Sequence, residues 1–278
     1  MLLQNLFKTN KRYKLYYFGG SKNKNAGDVF NVDLMKYFGI KYVRNRKIQN
    51  SNLICVGSHL DILSLSSKSK LIIAGCGFMT PPQQDDCINR EIEVMALRGA
   101  LSKARIEELT GYSLENCILG DPGLLISKIY PMNHPKKYKV GVIPHYYDKT
   151  EWDARKINIK GNNFRLIDIQ QEAKDVAKEL CECECILSSS LHGLIFADSY
   201  NIPNRQLIMS DKVSGGSYKF KDYYSAFNLE LPKAIDIRNE IIDDDAIINV
   251  ITSYTKKDVE TKQIELTNVY KNLKNKLQ

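Results

Sequence analysis

The sequence predicts an α/β fold made of two parallel-sheet halves in succession, with a helix packed on the body at the C-terminal end. Three observations predict it. Short apolar runs alternate with helical patterns along the chain, which is the mark of a parallel sheet covered on both faces. The alternation occurs twice, on either side of a basic, proline-containing break at residues 127–137. Glycines, hydroxyl residues and histidines recur just after the predicted strands, where parallel sheets place their ligands.

In the first half, residues 1–130, the apolar run 14–18 reads as a strand. A Gly19-Gly20 loop follows it, and Asn25-Ala26-Gly27-Asp28 then opens a helical pattern carrying Phe30, Leu34, Met35 and Phe38. Further strands are predicted at 52–56, 70–74, 94–97 and 117–119, with a helix at 101–109. In the second half, residues 138–253, strands are predicted at 139–143, 164–168, 185–188, 205–208 and 234–237. Helices fit at 170–180, 191–200, 218–227 and 244–253. The tail, residues 254–278, repeats Val259, Leu266, Val269, Tyr270, Leu273 and Leu277 at helical spacing. Acidic residues mixed among its lysines favour packing on the body over a membrane-surface helix.

A hydrophobic content of 43% and a charged content of 26% over 278 residues fit a globular chain of one or two domains. The net charge of +8 favours anionic ligands, and the dispersal of the lysines argues against a nucleic-acid surface. No segment approaches the ~20 apolar residues of a membrane span. Residues 1–12 lack the charged-then-apolar order of a secretion signal. Seven cysteines without framework spacing are read as reduced thiols of a cytosolic protein. The run Cys181-Glu182-Cys183-Glu184-Cys185 sits where a helix hands over to a strand and lacks partners at zinc-ligand spacing, so buried thiols are expected and no metal.

The most informative stretch is Ser188-Ser189-Ser190-Leu191-His192-Gly193. It reads as the end of a buried strand, a tight turn and a helix start, gathering hydroxyls, backbone N–H groups and an imidazole where an anion is welcome. His192 is therefore the leading candidate for proton transfer, with Ser188, Ser189, Ser190 and Gly193 around the substrate. His145, in Pro144-His145-Tyr146-Tyr147, also follows a strand, while His59 and His134 have no such setting. Arg98, before Gly99, reads either as a fork for a carboxylate or phosphate or as an ordinary surface or interdomain salt bridge. The loop from Gly19 to Asp28, with Asn25 in it, reads as a cradle for a phosphate or a sugar, although Asp28 reads equally as a plain helix N-cap. In the Gly215–Tyr224 segment, Lys219 has the reach for a phosphate and Asp222 for a proton, against a plain solvated turn.

Taken together, these pieces resemble the polysaccharide pyruvyl transferase family. The resemblance rests on the Asn25–Asp28 loop, Gly57-Ser58, Gly75-Cys76-Gly77, Arg98-Gly99, Leu119-Gly120-Asp121-Pro122, the 141–146 segment, Ser188–Asp198 with Pro203, and Gly215–Tyr224. It implies two Rossmann-like domains facing a cleft, an arrangement like the GT-B glycosyltransferases. It also implies transfer of the pyruvyl group of phosphoenolpyruvate to a sugar of a bacterial surface polysaccharide, such as a capsule or exopolysaccharide, or of its lipid-linked precursor, leaving a pyruvate ketal. Many members carry an arginine just before the Leu-His of the hallmark turn, where this chain has Ser190. Arg98, Arg205 or Lys219 is the expected substitute, unless the donor differs.

On this reading His192 is the acid/base group, Asp28 orients the acceptor hydroxyl, and Arg98 and Lys219 clamp the anion. Phosphoenolpyruvate is a substrate, and no cofactor is expected. The expected partners are phosphoenolpyruvate and a glycan, free or lipid-linked, with peripheral contact at the cytoplasmic face of the inner membrane. The alternatives are a GT-B-type glycosyltransferase using a nucleotide sugar and a non-catalytic family member.

Overall fold

A computed structural model of the chain describes residues 11–20, 24–161 and 163–277. The secretion-signal reading of the N-terminal residues, and part of the 19–28 loop, lie outside the described residues.

The first sheet contains β1 (Tyr13–Tyr16), β2 (Tyr42–Asn45), β3 (Leu53–Ile54), β4 (Leu71–Ala74), β5 (Ile92–Leu97) and β6 (Ile118–Leu119). Its order is β2-β1-β3-β4-β5-β6, and every pairing is parallel. The second sheet contains β7 (Tyr138–Ile143), β8 (Phe164–Leu166), β9 (Cys183–Ser188), β10 (Asn204–Ile208) and β11 (Ile235–Asp236). Its order is β11-β10-β9-β7-β8, again all parallel. Two parallel sheets are thus present, as the doubled alternation predicts. In each, chain order reverses around one strand. β1 lies between β2 and β3, and β7 lies between β8 and β9. Such switch points leave a crevice outside the carboxyl ends of the flanking strands.

The edge strand β2 is absent from the sequence prediction. Its residues, Tyr-Val-Arg-Asn, are exposed or half-buried, so no apolar run marks it. The predicted break at 127–137 is only partly open chain, because α4 (Ile126–Ile129) runs into it.

The main helices follow the predicted patterns: α2 (Asn31–Phe38), α3 (Ala100–Thr110), α6 (Ala173–Cys181), α7 (Leu191–Ser199), α8 (Tyr218–Ser225), α9 (Asp244–Thr252) and α10 (Val259–Asn275). All nine residues of α7 are buried. A helix apolar on every side belongs inside, and the core cluster around α7 draws on Leu15 and Ala74 of the first sheet and on Ile143 and Ile186 of the second. One core cluster therefore spans the two sheets, and each sheet has a smaller cluster of its own besides.

Polar ties reinforce it. Asp198 of α7 is fully buried and accepts hydrogen bonds from Tyr223 at 2.8 Å, Tyr254 at 2.7 Å and Asn204 at 2.7 Å, and it pairs with Lys257 at 3.0 Å. A buried charge persists only with such partners. The network holds the approach to α10 against α7. The helix α10 then packs on the first sheet, where Tyr270 donates to the Ala74 carbonyl at 3.0 Å and stacks on Phe38.

Cys181 ends α6, and Cys183 and Cys185 lie in β9; all three are buried free thiols. Burial pushes the Cys181 thiol up to about 11 and the other two up to about 12, so they stay protonated. Among the described residues no cluster of His, Cys, Asp and Glu suits a metal ion. Among the same residues no helix is long and apolar enough to cross a membrane.

Candidate active site

A cavity of about 260 Å³ lies at the carboxyl ends of the switch-point strands of both sheets. Phe18 reaches it from the loop after β1, Ser58 and His59 from the loop after β3, and Met79 from beyond β4. His145, Tyr146 and Tyr147 follow β7, Ser190 and His192 follow β9, and Lys219 stands on α8. Asn25 and Asp28 come from the α1 segment (Ala26–Val29).

The turn after β9 is built by its own hydroxyls. Ser188 donates to the Ile143 carbonyl at 2.8 Å and accepts from the Ser190 N–H at 3.0 Å. Ser189 accepts from the His145 N–H at 2.8 Å. A Cβ on Gly193 would lie 2.3 Å from the Ser188 hydroxyl, so glycine lets α7 begin against the turn. Ser188 and Gly193 are therefore framework; of the four only Ser190 faces this cavity, while Ser189 lines a second cavity beside it. Its hydroxyl accepts from Asn25 at 3.2 Å, and Asn25 in turn caps α1 by accepting from the Gly27 N–H at 3.0 Å. The capping role the sequence leaves open for Asp28 thus belongs to Asn25. Asp28 is left on the cavity wall.

His192 packs closely against Gly27 of α1. A Cβ on Gly27 would fall 1.9 Å from its Cγ, so the glycine of Asn-Ala-Gly-Asp is a seat for the imidazole. The ring is 7% exposed, and its Nε2 has no hydrogen-bond partner. Burial, with help from the nearby Arg98 and Lys219 charges, depresses its pKa to about 3. His145 is depressed to about 3 by burial and Lys219, and His59 to about 4 by burial and Arg98. All three imidazoles are neutral in the free protein. His59, set aside in the sequence reading, belongs to the site, and its Nε2 is also without a partner. The strand-end rule that singled out His145 would have found it after β3.

Lys219 is 5% exposed, with its ammonium 3.9 Å from the Met79 sulfur and 5.9 Å from the centre of the Phe220 ring. Burial and the Arg98 charge lower its pKa to about 8. Burial raises the Asp28 carboxyl to about 7 against the pull of Lys219. Two opposite groups thus titrate near neutrality on one wall, a pattern typical of functional sites.

Arg98 is placed differently from the expectation of an anion clamp. Its guanidinium is buried behind Ser58, to which it donates at 2.7 Å, and it also donates to the Phe78 carbonyl and to Asp222 at 2.8 Å. Asp222, offered by the sequence as a proton acceptor, is equally committed. It accepts from Arg98 and from both the N–H and the hydroxyl of Ser102, at 2.8 and 2.6 Å. It thereby caps α3 from α8, across the two halves. Gly99 permits the approach, since a Cβ there would lie 1.6 Å from the Asp222 carbonyl oxygen. Arg205 is likewise held by the Lys233 carbonyl and Ser253. Of the cations named from the sequence, Lys219 alone lines the cavity.

Fold and site together define an enzyme of the parallel α/β class, with a polar, partly ionisable pocket at strand ends. The family model for polysaccharide pyruvyl transferase matches residues 2–205, and the chain belongs to that family. It is a transferase of the polysaccharide pyruvyl type. It is 30% identical over 240 residues to an uncharacterized protein of Acanthamoeba polyphaga mimivirus, covering 79% of this chain and 76% of that one. It is 28% identical over 214 residues to the succinoglycan biosynthesis protein ExoV of Rhizobium meliloti, covering 74% of this chain and 63% of that protein. Among solved structures, a functionally uncharacterized protein of Klebsiella pneumoniae aligns at a TM-score of 0.46 and 13% identity, over 82% of this chain and 92% of that one.

Proposed function

We propose that the chain transfers the pyruvyl group of phosphoenolpyruvate to two hydroxyls of a glycan, forming a cyclic ketal and releasing phosphate. The observation that carries this reading is the cavity itself. One buried ammonium, three neutral imidazoles and one carboxyl of near-neutral pKa surround a space of about 260 Å³. That set suits a small anion which must gain one proton and lose a phosphate.

In the proposed reaction Lys219 pairs with the donor's negative charge. Asp28, in its protonated form, gives a proton to the methylene carbon, and the adjacent carbon becomes electrophilic. A glycan hydroxyl attacks that carbon as neutral His192 takes the hydroxyl proton. The phosphate then leaves, a second hydroxyl closes the ring, and the proton left by each hydroxyl balances those taken up by carbon and phosphate. The division of labour follows from two titratable groups whose surroundings push their pKa values apart. His59 and His145 supply hydrogen bonds to the departing oxygens. No further reactant is needed for the balance.

The proposed setting is a GT-B-like pair of Rossmann-like halves facing the cavity, at the cytoplasmic face of the membrane. The acceptor is a surface polysaccharide unit or its lipid-linked precursor. The positive net charge and the name of the Rhizobium relative support this setting.

Calorimetry and thermal shift with phosphoenolpyruvate test the reading. Linkage gives about 2.7 kcal/mol of stabilisation at a hundredfold excess over the Kd. Lys219→Met should weaken binding by about 10- to 100-fold, the loss of one charge-assisted contact. Stabilisation by a nucleotide sugar and not by phosphoenolpyruvate, with or without glycan, would overturn it.

A further inference from the structure

A second cavity, of about 350 Å³, opens beside the first at the carboxyl ends of β9 and β10. Ser214 lines both. The wall of the second is polar but, among the described residues, offers no unpaired cation. Its one arginine, Arg238, is bound by both carboxylate oxygens of Asp211 at 2.8 Å and by Asp236 at 2.8 Å. Hydroxyls and an amide make up much of the rest, with Ser217 donating to Gln206 at 3.0 Å. Phe220 and Met209 supply apolar surface. A wall of carboxylates, hydroxyls and amide with apolar patches rejects a phosphate and suits a neutral polyhydroxyl ring.

Asp148 makes the case specific. It is fully buried on this wall, and its Oδ1 accepts from the Ser210 hydroxyl. Its Oδ2 is buried without a hydrogen-bond partner. A carboxylate oxygen buried in that state is costly unless a donor arrives. Its backbone N–H donates to the His145 carbonyl at 2.7 Å, so the same short turn carries a residue of each cavity. We propose that the second cavity is a saccharide subsite, in which Asp148 accepts a hydroxyl of a neutral sugar residue adjoining the one that receives the pyruvyl group. The inference rests on the acceptor being a glycan and deepens that reading.

Saturation-transfer NMR on the full chain tests it, using neutral di- and trisaccharides of glucose, galactose and mannose at millimolar concentration. UDP serves as a competing probe, and phosphoenolpyruvate affinity is measured in parallel by calorimetry. At least one saccharide should show transfer. Asp148→Asn and Ser217→Trp should each weaken that binding by about tenfold or more, the first by removing the acceptor charge and the second by filling the space. Thermal melts of both variants report whether they fold. Should both fail to fold, Asp211→Cys labelled with a bulky maleimide takes their place and should lose the saccharide signal, while the wild type treated in the same way, labelled at its exposed Cys87, should keep it. Absence of transfer from every saccharide, transfer unchanged in the folded variants or the labelled Asp211→Cys protein, or displacement by UDP would overturn the subsite. Failure of phosphoenolpyruvate to bind while saccharides do would instead remove the donor reading and leave the subsite standing.

Discussion

Asp28→Asn separates catalysis from stability at one residue. Burial raises the Asp28 carboxyl from 3.8 to about 7. Its folded pKa lies above the unfolded value, so the folded state holds the proton more tightly. Stability is therefore lost as pH rises from about 4 through about 7. The full shift is worth about 4 kcal/mol at ~1.4 kcal/mol per unit, and roughly 2–4 kcal/mol after allowing for the part of the residue that faces the cavity. Asparagine keeps the shape and never ionises. The variant should gain on the wild type by about 2–3 kcal/mol between pH 5 and pH 8, or roughly 4–10 °C in Tm. The same change should cut turnover by about 10²–10⁴-fold, since the amide has no proton to give to carbon. Melting curves at half-unit pH intervals and a phosphate-release assay measure both. Parallel Tm profiles for the two proteins, or a fully active asparagine variant, would refute the assignment.

Other perturbations have equally definite outcomes. His192→Ala should keep the fold and lose about 10²–10⁴ in kcat, and His192→Gln should do the same if the ring moves a proton rather than only holding substrate. Gly27→Ala should lower kcat/KM sharply, because the added carbon would occupy the seat of the His192 ring, 1.9 Å from its Cγ; unchanged kinetics would show that the ring can move at no cost. Arg98→Met should destabilise by about 3–5 kcal/mol in chemical denaturation, since it strands the buried Asp222; a change under 1 kcal/mol would contradict the structural role given to that pair. The pH profile of kcat/KM should fall above about pH 7 as Asp28 ionises, and further above about 8 as Lys219 loses its proton. A rate rising through that window would contradict both roles.

The strand-end loops were legible in the sequence because parallel sheets concentrate chemistry there, and His192, His145, Ser190, Asn25, Asp28 and Lys219 all reach one cavity. What was not legible depends on contacts between distant segments. Arg98 and Asp222 are 124 residues apart, and nothing local shows that each consumes the other's hydrogen bonds. Ser188 and Gly193 carry the hallmark turn, yet serve its packing, because a hydroxyl at a strand end binds backbone as readily as ligand. The edge strand β2 lacks a buried face to mark it. His59 lies three residues beyond the strand predicted at 52–56 and His145 two beyond the one predicted at 139–143, so the same strand-end position marks both.

Pyruvyl transfer is read out by incubating the full chain with phosphoenolpyruvate and a panel of synthetic and lipid-linked glycans, with mass spectrometry of the glycan and a count of phosphate released. One pyruvate ketal should be gained per phosphate freed, on a glycan whose attacked hydroxyls lie close enough to close a ring, and both products should be lost with His192→Ala. Transfer of a sugar from a nucleotide sugar, with phosphoenolpyruvate left intact, would contradict pyruvyl transfer.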